Sequence, residues 1–150
     1  KKESEWKSAI KISESPAKMP NPGQKVATRL YDSRGYATAD VLSLEGEKLN
    51  LEEGIVLHHP LSYSKKRTIS QNAISESESL MVKILKDGDL VYDLPNLEEI
   101  RHQRKRDLAR LDPGIRRLVN PHIFHVSLTE SLWELKARLI RQAGQQMKVT

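Results

Sequence analysis

Cysteine is absent from the 150 residues, which excludes a disulfide framework, a thiolate nucleophile and a thiolate-bound metal. Aromatic residues are scarce at 5%, with one Phe, two Trp and four Tyr, so a stacking platform for single-stranded nucleic acid has few rings to draw on. Tyr31, Tyr36 and Tyr92 fall on or beside predicted strands without a basic groove around them, and are read as core or edge residues. No apolar run approaches the roughly 18 to 20 residues that cross a bilayer as a helix. The opening KKESEWK also lacks the apolar segment of a signal peptide. These absences predict a soluble protein with no membrane partner, and a cysteine-free chain suits a reducing cytoplasm. The chain starts at Lys1 without an initiator Met, and is expected to be a piece of something longer.

What is present is enough for one domain. A chain of this length buries roughly 70% of its unfolded surface, and 37% hydrophobic against 30% charged residues lies well above a disordered composition. The net charge of +5 is unevenly placed. Residues 1–94 hold 14 basic and 14 acidic side chains, whereas 95–150 hold 11 basic and 6 acidic. Within the second part, RHQRKRDLARLDPGIRR (101–117) carries seven Arg or Lys against Asp107 and Asp112. A solvated helix face and a nucleic-acid or phosphate surface are the two readings of such a run, and the first is preferred.

The first half reads as strands. SAIKIS (8–13) alternates apolar and polar, then ESPAKMPNPG forms an extended connector that its prolines keep out of helix and central strand. Val26, Thr28 and Leu30 share a face, DSRG makes a turn at Gly35, and YATADVLSL (36–44) returns as the second arm of a hairpin. EGIVLHHP (53–60) is a short strand stopped by Pro60. The serine- and charge-rich 62–79 predicts a long irregular loop that lies against something outside the chain. LMVKILK (80–86) and LVYDL (90–94) flank Asp87-Gly88-Asp89 as a second hairpin.

The second part reads as helices. Asn96 and Glu99 form a capping box for a helix with Leu97, Ile100, Leu108 and Leu111 as its stripe, broken at Pro113-Gly114. Ser127 to Glu130 is a second S-x-x-E box, ahead of Leu128, Leu132, Leu135 and Leu139 with Trp133 and Ile140 alongside. The expected fold class is α+β: mostly antiparallel β hairpins in a strand-rich portion (1–94), then two main C-terminal helices (95–150), together one C-terminal domain of a larger chain.

Chemistry is hard to find. His122 and His125 flank Ile123 and Phe124, and zinc wants three or four ligands that the surroundings do not offer. The preferred reading is a connector with Ile123 and Val126 packed inward, and no metal site. His58 and His59 diverge if extended. There is no nucleophile elbow and no Ser, His and Asp arrangement. Glu52-Glu53 and the pair Glu76 and Glu78 read as solvated carboxylates, and none of the seven glycines sits in a phosphate-cradling turn.

Taken together, several strings resemble bacterial-type nicotinate phosphoribosyltransferases. KISESPAKMPNPGQKVATRLYD (11–32) is similar to the segment following the phosphate-binding barrel strands, and GYATADVL (35–42) to the next strand. VLHHP (56–60) matches on His59 and Pro60. DGDLVYDLPNLEEIR (87–101) and RRLVNPHIFHVSLTESLWELKARLI (116–140) resemble the family's Asp-Gly turn with its helix start and its closing helix. The strings occur in the family's order along nearly the whole chain. His125 and Ser15 depart from the pattern, and 62–79 fits it least.

The resemblance implies an enzyme that joins nicotinate to 5-phosphoribosyl 1-pyrophosphate with ATP hydrolysis, giving nicotinate mononucleotide for NAD synthesis. It also implies that the phosphorylated histidine and the substrate pockets lie upstream, so no catalytic residue is carried over and the cofactors ATP and Mg belong to the parent enzyme. The partners implied are the N-terminal and barrel portions of that enzyme, in a possible homodimer. Trp6 and Trp133 are the candidates for packing or inter-domain contact, because large rings are worth burying and this chain has few. The alternatives are a basic nucleic-acid-binding module built on 101–117 and an autonomous non-catalytic adaptor domain.

Overall fold

A computed structural model describes residues 9–146 of the chain. Its centre is a six-stranded sheet in which, from edge to edge, residues 66–69, 55–58, 125–128, 37–44, 25–31 and 76–79 lie side by side. β1 (Lys25–Tyr31) and β2 (Ala37–Leu44) are the hairpin arms expected around DSRG. Leu30 pairs with Ala39 and Thr28 with Val41, and Asp32 closes the turn by accepting the amides of Arg34 and Tyr36. Gly35, at φ +80, supplies the left-handed residue that the return requires. β3 (Ile55–His58) stops before Pro60 as expected.

Between β2 and β3 the sheet receives β8 (His125–Leu128), parallel to β2 and antiparallel to β3. The expected helix box at Ser127 is therefore displaced. Ser127 is buried in this strand, and α2 (Glu130–Gln146) begins two residues beyond Leu128, with the Thr129 hydroxyl accepting the Leu132 amide at 3.5 Å. Nor do Ile123 and Val126 pack inward: they are 79% and 44% exposed, and Leu128 is the fully buried residue of the segment.

Three further expectations fail. The segment 62–79 is not an irregular loop: it contributes both edges of the sheet, β4 (Lys66–Ile69) on β3 and β5 (Glu76–Ser79) on β1. SAIKIS forms no strand over its described residues 9–13, so its alternation finds no partner. LMVKILK is a strand over its last two residues alone. Only Leu85 and Lys86 (β6) pair, with Asp89 and Leu90 (β7), in a separate two-stranded ribbon. Its turn is the expected Asp87-Gly88, both at positive φ (54° and 96°), as a two-residue hairpin demands.

Successive strand residues face opposite sides, and each side of the sheet has its own covering. One carries the buried cluster Leu30, Val41 and Leu57, packed by Leu49, Leu51, Ile55, Ile69 and Ile74. The other carries Leu128 and His58, paired across β8 and β3, beneath α2. There Leu132 is fully buried and Ala137 is 7% exposed. α1 (Leu97–Ala109) has the predicted capping box, with Asn96 accepting from Glu98 and Glu99 and Glu99 accepting from Asn96 in return, yet it buries no residue. Trp6 lies outside the described residues.

Candidate functional site

Trp133 sits on the first full turn of α2, half-buried against the exit of β3. The His58 ring stacks on it with centroids 4.6 Å apart and planes 20° off parallel, and Tyr63 meets it edge-on at 6.2 Å. His59 points the other way and is exposed, so the two adjacent histidines diverge. His58 Nε2 and Trp133 Nε1 are both enclosed without a protein hydrogen-bond partner. One turn along, Lys136 is only 3% exposed, and its Nζ donates to the Asn21 side-chain oxygen and the Pro60 carbonyl, both at 2.9 Å. This clamp ties the proline-rich connector and the end of β3 to α2. Burial pushes the Lys136 ammonium below its ordinary pKa.

A second cluster lies on β1, β2 and β5. Arg29 and Asp40 are cross-strand partners and form a two-pronged pair, Nε to Oδ1 at 2.7 Å and Nη2 to Oδ2 at 2.9 Å. The Asp40 hydrogen bond raises the Arg29 pKa. The Tyr31 hydroxyl donates to Glu78 at 2.5 Å, and burial followed by that carboxylate pushes its pKa up to about 12. Arg110 lies over the Tyr31 ring, 3.3 Å from its centroid, and pairs with Glu76 at 2.6 Å. Its carbonyl also accepts from Ala37 at 2.8 Å, anchoring the end of α1 to the β1–β2 turn. Each charged group here is held by an opposite one, an arrangement that fixes strands in register rather than poising a proton for transfer.

Beside this network a groove of about 960 Å³ separates α1 from β1 and β5. Arg29 lies on its sheet side, its guanidinium 5.5 Å from the centroid of the Phe124 ring.

The remaining sequence candidates are spread apart. His122 lies in the irregular approach to β8, where its amide donates to the Gly114 carbonyl, whereas His125 lies in β8 opposite Ala39. Burial, then the charges of Arg67 and His59, lowers the His125 pKa, so the field around it opposes a cation. Among the described residues no three of His, Asp and Glu cluster closely enough to hold a metal ion. Gly114 reads as a helix breaker in the sequence, but it also makes room for His122, because a Cβ there collides with that ring. Glu52 and Glu53 are exposed. The basic run is partly neutralised by Arg101–Glu98 at 2.6 Å and Arg110–Glu76. Sequence reasoning did not find Arg29, Asp40 or Lys136. The first two face each other across the predicted hairpin, so their opposite charges were the available signal.

The comparisons agree on one family. The model of the nicotinate phosphoribosyltransferase C-terminal domain matches residues 24–136. Nicotinate phosphoribosyltransferase of Bos taurus is 34% identical over 87% of this chain and 24% of its own length, and that of Caenorhabditis elegans 32% identical over 83% and 22%. The crystal structure of human nicotinic acid phosphoribosyltransferase superposes with a TM-score of 0.68 at 32% identity, covering 79% of this chain and 23% of that one. The chain thus spans about a quarter of the length of the relatives it matches. None of these similarities supports the nucleic-acid-binding alternative. With the matched stretch running from the start of β1 into α2, this chain belongs to the nicotinate phosphoribosyltransferase C-terminal domain family.

Proposed function

We propose that the chain is the C-terminal structural region of an enzyme that makes nicotinate mononucleotide from nicotinate, 5-phosphoribosyl 1-pyrophosphate and ATP, within NAD biosynthesis. The observation that carries this reading is the family match over most of this chain and only a quarter of its relatives. The described residues supply ion pairs and packing, and no three of His, Asp and Glu among them cluster closely enough to hold a metal ion. The reacting groups are accordingly assigned to the portion upstream. ATP and Mg are the cofactors of the complete enzyme in this reading, and no chemical step is assigned to this region. Its task is mechanical, to present a rigid sheet and α2 as a brace for the N-terminal and barrel portions. A homodimer in the cytoplasm completes the proposal, and no described helix is long and apolar enough to cross a membrane.

The test is an assay of the complete polypeptide encoded by the gene, with radiolabelled nicotinate and the two phosphate substrates. Nicotinate mononucleotide is expected from the complete product and not from residues 1–150 alone. A complete product that binds neither nicotinate nor the phosphoribosyl donor overturns the reading.

A further inference from the structure

The partly enclosed guanidiniums described above each meet a carboxylate: Arg29 meets Asp40, and Arg110 meets Glu76. Arg67 on β4 meets none. It is half-buried, enters no salt bridge among the described residues, and its Nε and Nη2 are enclosed without a hydrogen-bond partner. Burial pushes its pKa below the ordinary arginine value. A desolvated charge without a counter-charge is costly, and Nη1 is the nitrogen left open to receive one.

The register shows what stands around this charge. Cross-strand partners face the same side of a sheet, so Arg67 shares the side of its partner Leu57, which is the side opposite α2. His59 follows Leu57 by two residues, and its amide continues the ladder by donating to the Lys65 carbonyl at 2.9 Å. On β8, Ser127 pairs with Val41 of the Leu57 cluster, and His125, two residues earlier, keeps to the same side. Since β4, β3 and β8 are neighbours, three successive strands set Arg67, His59 and His125 on one face. Both imidazoles are exposed. His59 Nδ1 accepts the Leu61 amide at 3.1 Å, which puts the proton of the neutral ring on Nε2 as a donor. The charges that act on His125 are those of Arg67 and His59, with no carboxylate beside them.

The geometry points to an oxyanion site on this face, in which Arg67 Nη1, His59 and His125 together bind a small dianion of the phosphate or sulfate class. A guanidinium and two imidazoles that titrate near neutrality complement two negative charges better than one. The site draws only on residues of this chain, so it stands whether or not the family reading of its parent enzyme holds.

The experiment titrates the complete gene product with sodium sulfate at constant ionic strength, in buffer free of phosphate, and follows hydrogen exchange of peptides spanning 55–59, 66–69 and 125–128. Sulfate is the probe because it keeps both charges while histidine titrates. The expected result is a saturable slowing of these amides by about tenfold. It should be reached at a lower sulfate concentration at about pH 6 than at about pH 8, because protonated imidazoles then face the anion. Arg67→Gln should abolish the slowing, whereas His125→Gln, which keeps the guanidinium, should weaken binding about fivefold and reduce its pH dependence. Inorganic phosphate and adenosine monophosphate are then compared on the same peptides. Whichever protects at the lower concentration identifies the free ion or a nucleotide's phosphate group as the source, and either result supports the site. No slowing in the wild-type protein, equal slowing in Arg67→Gln, or equal slowing by acetate overturns the inference, the last because a single charge would then suffice.

Discussion

The two helices carry similar local signals and are used in opposite ways. Both have leucines at helical spacing, and both start beside a residue that accepts first-turn amides, Asn96 for α1 and Thr129 for α2. Yet α2 fully buries Leu132 and seals Leu128 and His58 on the sheet, while α1 leaves Leu97 and Ile100 at least half exposed. Helix-forming signals are local, whereas burial depends on what the rest of the chain brings to the helix face. For α2 the chain brings β8 and β3; for α1 it brings a groove.

The sharpest way to break this contrast is to truncate one leucine-class residue on each helix. Leu132→Ala should cost about 3 kcal/mol in denaturant unfolding, the usual range for a fully buried leucine. Ile100→Ala in residues 1–150 alone should stay within about 0.5 kcal/mol of the parent. Equal costs at the two sites would mean that α1 packs as α2 does. Trp133→Ala comes next, at about 2 kcal/mol, because the ring is half-buried and loses its stack on His58. Unchanged thermal stability in that variant removes Trp133 as a packing anchor. Asp40→Ala should follow at about 2 kcal/mol, since it strands the Arg29 guanidinium in a partly enclosed site. If the chromatographic and spectroscopic signatures of the hairpin survive with no stability loss, the pair is ornamental to the β1–β2 register.

Lys136 sharpens the contrast through pH. Burial holds its pKa below the ordinary lysine value, so the unfolded chain binds the proton more tightly than the folded one. Its contribution to stability therefore rises as pH climbs from the depressed folded value to the unfolded one near 10.4. Measured against Lys136→Met, the wild-type chain should gain relative stability as pH climbs through the alkaline range towards the unfolded lysine value. A flat difference across that window assigns the ammonium to solvent.

How far the fold was legible depends on whether a segment's partner lies close in sequence. The DSRG and Asp-Gly turns were readable because backbone geometry at Gly35, Asp87 and Gly88 is a property of those residues themselves. The capping box at Asn96 was readable for the same reason. β5 was not, because ESES is polar throughout, and what holds it is a distant edge: the ladder to β1, reinforced by Tyr31 to Glu78 and Arg110 to Glu76. β8 was hidden by a capping-box motif two residues ahead of the true helix start: Ser127 is buried in the strand, and Thr129, with Leu132 rather than a Glu three residues on, takes the capping role. Lys136 was not legible, because the two oxygens that receive it come from Asn21 and Pro60, far away in sequence.

The smallest effect tests the unpacked helix itself. Asn96 accepts the Glu98 and Glu99 amides at 3.0 Å, and Glu99 returns the bond to the Asn96 amide at 2.7 Å. Asn96→Ala removes one half of this box and should cost the helix about 1 kcal/mol. Because α1 buries nothing, that loss has no packing to spread through. It should appear as faster hydrogen exchange confined to 97–109, with the unfolding midpoint of the sheet unmoved. A midpoint that falls with the helix would mean that α1 and the sheet unfold as one unit, and that the anchor of Arg110 on Ala37 and Glu76 couples them more strongly than the exposed face of α1 implies.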